Sequence, residues 1–145
     1  MALVSLVYAS RVDPLVRSAG DVGAILESAR RHNTADNITG MLAFNGYYFM
    51  QCLEGERKAV NSTFRRISAD RRHTDVTLMS IRETAKRSFG SWAMGYVPDQ
   101  EATRQLLLKH GESDAFDPLS IPAENLDQLL IDMSRSLSVA LVGCA

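Results

Sequence analysis

The stretch Gly46-Tyr47-Tyr48-Phe49-Met50-Gln51-Cys52-Leu53-Glu54-Gly55 carries a primary amide where a strand would turn an apolar face inward. Successive side chains of a strand point to opposite faces. Tyr47, Phe49, Gln51 and Leu53 therefore share one face, and Tyr48, Met50, Cys52 and Glu54 the other. An amide buried without partners costs roughly 2–7 kcal/mol. Gln51 thus either pairs with backbone or water in an ordinary core, or faces a bound polar group. Two more polar groups sit on otherwise apolar faces. Tyr8 follows Val4 and Leu6 at strand spacing, and Asn33 lies four residues beyond Ala29 on the stripe Val22, Ile25, Leu26, Ala29. Tyrosine, asparagine and glutamine are hydrogen-bonding types rather than the acids and bases of hydrolysis. Recognition of a planar polar ligand fits them better than turnover.

Other chemistries lack their residues. Neither the dinucleotide glycine pattern nor the Walker pattern occurs. His32, His73 and His110 have no paired metal-ligand spacing. Cys52 and Cys144 give neither a disulfide framework nor a metal motif. Cys52 falls on the face opposite Gln51 with no histidine beside it in sequence, which argues against nucleophilic catalysis. The two sequons, Asn37-Ile38-Thr39 and Asn61-Ser62-Thr63, carry no meaning without secretion. The apolar run Leu3 to Ala9 is too short to span a membrane and has no basic region before it. The expectation from these absences is a cytoplasmic protein without a membrane span; the resemblance given below adds the expectation of a non-enzyme that touches no nucleic acid directly and acts on a protein partner.

The elements that must position these residues can be read in order. Val4 to Arg11 predicts a first strand, broken by Asp13-Pro14. A helix capped by Ser18 or Asp21 follows and ends at Asp36-Asn37. Ile38 to Phe44 predicts a second strand, and Asn45-Gly46 a hairpin into the third. Glu56 to Ala69 predicts a second helix with Val60, Phe64 and Ile67 inward. If that helix or its last turn continues, Arg66, Asp70 and His73 line one stripe. Asp75 to Thr84 and Trp92 to Val97 complete five strands. The order βαββαββ is α+β and matches a ferredoxin-like sandwich, a mixed five-stranded sheet with two helices on one face. In that topology the first and third strands are central neighbours, so Tyr8 and Gln51 lie side by side beneath the helices.

The C-terminal part differs. After position 98, eight acidic residues oppose three basic ones, leaving that part at −5 and the preceding part at +4. Such asymmetry suits an anionic ligand on the body and a basic partner for the tail, or simply a solvated surface. Gln100 to His110 predicts a short helix stopped by Gly111. Pro122 opens another, striped by Leu126, Leu129, Leu130, Met133, Leu137, Ala140 and Leu141. That stripe must cover either the open face of the sheet or a second copy of itself.

Several runs in consistent order between Leu3 and Val97 resemble the BLUF domain, a blue-light sensor using flavin adenine dinucleotide. They are Leu6-Val7-Tyr8-Ala9-Ser10, Asn33 with Asn37-Ile38-Thr39-Gly40-Met41-Leu42, Phe49-Met50-Gln51-Cys52-Leu53-Glu54-Gly55, Asp70-Arg71-Arg72-His73 and Phe89-Gly90-Ser91-Trp92-Ala93-Met94. The resemblance implies the same ferredoxin-like sheet, with residues 1–98 as a flavin-binding domain and 99–145 as a helical extension. It implies FAD as cofactor, with the ring between the two helices. Tyr8 would donate an electron and proton to the excited flavin, Gln51 would bridge Tyr8 to the ring, and Asn33 would hold its carbonyl edge. Trp92 and Met94 match a pair placed near the glutamine. Ile25, Arg30, His32, Ile67, Asp70, Arg72 and His73 match positions that line the ring or its side chain.

One position departs from the pattern. Many members carry serine four residues before the matched asparagine, where this chain has Ala29, and Ser28 faces elsewhere on the helix. The function implied is a blue-light photoreceptor acting through its C-terminal helices on a partner or an oligomer. Two other classes share the sheet. A flavin-free interaction module would use only the tail helices, and a small acylphosphatase-like enzyme would need an arginine-lined anion loop that is not found.

Overall fold

The computed structural model describes residues 2–14, 19–44, 47–90, 93–97, 105–106, 109, 118–122, 124–126, 128–133 and 135. Its elements run β1 (Leu3–Val12), α1 (Ala19–Asp36), β2 (Thr39–Phe44), β3 (Tyr48–Glu56), α2 (Arg57–Ala69), β4 (His73–Thr84) and β5 (Gly95–Val97). The sheet order is β4-β1-β3-β2-β5. The four longer strands pair antiparallel, and the three-residue β5 joins β2 in parallel. This α+β arrangement places β1 and β3 at the centre, where Tyr8 stands directly opposite Gln51.

Every residue of β1 from Val4 to Ser10 is buried, because both faces of this central strand are covered. Alternation sorts the side chains. Leu6, Tyr8, Phe49 and Leu53 pack with Val22, Ile25 and Leu26 of α1 and Val60 of α2. Val7, Met41, Met50 and Cys52 face the other way. There they meet Leu126, Leu129, Leu130 and Met133, helical residues within 124–135. The C-terminal stripe therefore covers the open face of its own sheet. Leu137, Ala140 and Leu141 lie outside the described residues, as do Trp92 and the Asn45-Gly46 turn. Of the expected helix Gln100 to His110, Gln105, Leu106 and Lys109 are described, and all are helical.

Local chemistry fixes the ends of the elements. Asn37 adopts φ 55°, and its N–H bonds Thr34 O while Ile38 N–H bonds Asn33 O at 2.8 Å. This pair of closing bonds around a left-handed asparagine ends α1 as a Schellman motif. α2 stops at Ala69, with Asp70 extended (φ −79°, ψ 124°), so Asp70 and His73 do not continue the helix stripe. The cause is a turn made by the Asp70 side chain, whose Oδ1 accepts the Arg72 N–H at 2.9 Å. β4 begins at His73, two residues before the expected start. The fifth strand is shorter than Trp92 to Val97, because side chains of α1 take the carbonyls of Ala93 and Met94.

A bulge places His73. Val76 packs on the helix side, and three residues earlier simple alternation would turn His73 away. The register slips between Ala9 and Arg11, where Asp75 adopts φ 50°. That extra residue turns His73 back toward the helices.

Candidate functional site

Between α1 and α2, over the buried strands, lies a cleft with about 540 Å³ of unfilled space, its open mouth included. Ile25, Ser28, Ala29, His32 and Asn33 of α1 form one wall, Thr63, Arg66 and Ile67 of α2 the other, and Leu42 and Gln51 the floor. Ser28 thus lines the cleft rather than facing elsewhere as its spacing suggested. Asp70, Arg72 and His73 close one side.

Tyr8 Oη, fully buried behind the floor, donates to Gln51 Oε1. The other end of the amide, Nε2, donates to Met94 Sδ at 3.2 Å. A thioether is a weak acceptor, so Gln51 is held firmly at one end and loosely at the other. Burial, and after it the charge of Asp70, push the Tyr8 hydroxyl well above its usual range, so it keeps its proton. Asn33 Nδ2 donates to Ala93 O at 2.9 Å and Arg30 Nε to Met94 O at 3.0 Å. α1 thus grips the segment that brings Met94 to Gln51.

The Asp70 carboxylate is clasped by Arg72, with Nη2 at 2.6 Å and Nε at 3.0 and 3.1 Å. The Arg72 bond holds that carboxyl below its usual range, and Asp70 in turn raises Arg72. His73 Nδ1 meets Ser10 Oγ at 2.9 Å, and its ring lies 4.7 Å from Phe49 between centroids. Burial first, with Arg72 adding to it against Asp70, pushes His73 down to about 4, so the ring is neutral at pH 7. His32 Nδ1 donates to Ser28 O at 2.9 Å.

Of the site residues expected from the sequence, Ile25, His32, Asn33, Gln51, Ile67, Asp70, Arg72 and His73 come together around the cleft. Tyr8 lies behind Gln51, and Met94 flanks that amide. Arg30 does not line the cleft and instead braces Met94. Trp92 falls outside the described residues. Thr63 was missed. It is 2 % exposed, lines the cleft, and its Oγ1 has no hydrogen-bond partner among the described residues. Its spacing, three after Val60 and four before Ile67, puts it on the inward stripe and could have revealed it. An orphaned buried hydroxyl in the wall of a cleft leaves a hydrogen-bonding group open to a water or a polar ligand. With the apolar walls and the amides of Asn33 and Gln51, the residues present fit a flat ring edged with nitrogen and oxygen.

The family model for sensors of blue light using FAD, BLUF, matches residues 3–95. The chain belongs to the BLUF family. Members of that family are flavin-binding blue-light sensors. Among curated proteins, photoactivated adenylate cyclase subunit beta of Euglena gracilis is 37% identical over 94 residues, 63% of this chain and 11% of that protein. The blue light- and temperature-regulated antirepressor BluF of Escherichia coli (strain K12) is 33% identical over 94 residues, 63% of this chain and 23% of that protein. The chain therefore spans only 11% and 23% of the length of these two curated relatives. Among solved structures, the photo-activated state of BlsA is 32% identical with a TM-score of 0.84, covering 90% of this chain and 94% of that one. The dark state of BlrB, a BLUF protein, is 33% identical with a TM-score of 0.78, covering 93% and 97%. The latter two extend the BLUF likeness beyond residue 95 into the C-terminal part. Among the described residues no helix is long and apolar enough to cross a membrane.

Proposed function

We propose that this BLUF chain is a blue-light photoreceptor that holds FAD between α1 and α2 and reports its excitation through Tyr8 and Gln51. The observation that carries the reading is the buried Tyr8–Gln51 hydrogen bond in the floor of a cleft whose wall holds an unsatisfied Thr63 hydroxyl. Ile25 and Ile67 would sandwich the ring. Asn33, whose NH₂ is spent on Ala93, has its amide oxygen to offer an imide N–H. His32 and the Asp70–Arg72 pair stand where the ring's side chain would leave.

When bound, the flavin absorbs blue light and becomes a strong electron acceptor. Tyr8 is the residue that would supply the electron to the bound ring, and its hydroxyl proton would have a path along the existing hydrogen bond to Gln51 Oε1. The Gln51 amide rotates or changes tautomer, exchanging which end faces Tyr8 and withdrawing Nε2 from Met94 Sδ. Once Tyr8 regained its electron and proton, the amide would remain rearranged. The weak thioether bond makes that exchange inexpensive, while burial of Tyr8 keeps water from competing for the proton.

Moving a two-state element from 1:99 to 99:1 takes about 5.5 kcal/mol. One or two rearranged hydrogen bonds supply about 1 kcal/mol each. A packing change must therefore accompany them, and Met94, Trp92 and the C-terminal helical residues are the elements to carry it. In this reading residues 1–98 sense and 99–145 transmit, to a partner protein or a second copy. The experiment is direct: the purified chain should be yellow, and its absorption should shift reversibly to the red under blue light. A colourless protein that releases no flavin on denaturation would refute the reading and favour a flavin-free interaction module.

A further inference from the structure

The sheet ends on one side in β5, three residues long, and on the other in β4, twelve residues long. Among the described residues no strand pairs with the outer edge of β4. An edge strand offers a row of N–H and C=O groups to any extended chain, and proteins keep such strands short, charged or bent. β4 is long, and it holds two of the four exposed large apolar side chains found among the described residues. Leu78 and Ile81 are each 49 % exposed. Both lie on the helix face, since Leu78 stands opposite Tyr8 and Ile81 opposite Leu6.

Two residues three positions apart share a face only where alternation is broken. The cause is a bulge. Val7 stands opposite Ser80 and Tyr8 opposite Leu78, so Met79 is an extra residue. Met79 packs with the C-terminal cluster, and Ser80 stands opposite Val7 of that cluster. Before the bulge the helix face is therefore Val76 and Leu78; after it the helix face is Ile81 and Glu83.

A strand that changes phase in this way is a poor template for a regular foreign strand. A second copy of β4 carries the same change. Antiparallel two-fold pairing with Met79 against the partner's Ser80 sets the two bulges together, and helix-facing residues then meet helix-facing residues on both sides of the axis. A shift by two positions in either direction sets a helix-facing residue against one of the opposite face. The bulge alone chooses this register, yet the register also places Leu78 against the partner's Ile81, twice by symmetry. Asp75 meets the partner's Thr84, Val76 the partner's Glu83 and Thr77 the partner's Arg82, so no like charges stand opposite each other. Asp75 lies one diagonal step from the partner's Arg82, within reach of a long side chain.

We propose that the outer edge of β4 is a self-association surface, and that its occupant is β4 of a second copy of this chain, with the two-fold axis between Met79 and Ser80. The pairing joins two five-stranded sheets and covers Leu78 and Ile81 of both copies. It does not rest on the light-sensor reading, since neither residue lines the cleft.

Sedimentation of the full chain in the dark tests the association, and cross-linking tests the register. The weight-average mass should rise with concentration toward twice that of the monomer, and Ile81→Lys should weaken the dimer about tenfold. Residues directly opposite in such a pair have Cα atoms about 4.5–5.5 Å apart, within a disulfide's reach. Leu78 and Ile81 each lie about 10 Å along the strand from their own symmetry copies. In a Cys144→Ser background, a mixture of Leu78→Cys and Ile81→Cys chains should therefore form a disulfide-linked dimer under mild oxidation, and neither chain alone should. A monomer at every concentration, with no cross-link in the mixture, would overturn the proposal. So would a dimer that Ile81→Lys and Leu78→Lys leave unchanged, or one in which either cysteine variant alone cross-links as readily as the mixture.

Discussion

Tyr8 and Val7 are neighbours in β1, yet one faces α1 and α2 and the other faces the C-terminal helical residues. On the C-terminal side the chain closes on itself. Met41, Met50, Leu126, Leu129, Leu130 and Met133 fill the space, and the buried carboxylate of Glu54 has a partner at both oxygens. On the helix side polar groups collect: Tyr8, Asn33, Gln51, His73 and Thr63 lie among aliphatic side chains. The Thr63 hydroxyl there lacks a partner among the described residues. One sheet therefore supports one core whose buried carboxylate is partnered at both oxygens and another that borders a cleft with an unpartnered hydroxyl. Stability should depend mainly on the first, and cofactor chemistry on the second.

That contrast can be broken by substitutions whose effects fall on the wrong face. Leu129→Ala, at a fully buried position, should cost about 3 kcal/mol in denaturant unfolding. The folded fraction should keep its flavin and its light-induced shift. Loss of flavin from folded Leu129→Ala would show that the two faces are not separable.

Acid should act from the helix side. His73 is neutral in the fold with a value near 4, against about 6.5 when unfolded. Between those values the unfolded chain binds the proton and the fold does not, so stability falls as pH drops through that window. The loss by pH 5 should be about 2 kcal/mol, read from urea midpoints at pH 7 and pH 5. His73→Phe should flatten that slope. An unaltered slope would mean that His73 is not the group responsible.

The smallest effect should change sign with the ligand. Thr63→Val removes the orphaned hydroxyl and should leave the flavin-free protein equal or about 1 kcal/mol more stable. The flavin-bound form should lose about tenfold in affinity, measured by flavin titration. Equal affinity would remove Thr63 from the cofactor site.

The sequence made one face more legible than the other. Strand alternation separated Gln51 from Cys52, and the strand order set Tyr8 beside Gln51, because both follow from local periodicity and a known crossover pattern. The stripe of Leu126, Leu129, Leu130 and Met133 announced that something must cover it. A stripe measures apolar surface and cannot say which surface answers it. Asp70 and His73 reach the cleft by a side-chain turn and a bulge rather than along a helix, and neither device leaves a glycine or proline as a marker. Ala93 and Met94 have strand-like neighbours but spend their carbonyls on Asn33 and Arg30, a competition invisible without the third dimension. Glu54 fell on the expected face. Two of its three donors are backbone N–H groups more than thirty residues away, and composition does not encode those.

The most direct test is the light-minus-dark spectrum of flavin-loaded Tyr8→Phe and Gln51→Leu beside the wild-type chain. Each variant should stay yellow and lose the reversible red shift that the wild type shows. A full-amplitude shift in Tyr8→Phe would contradict the account, because it would place the photochemistry somewhere other than the buried phenol and its amide partner.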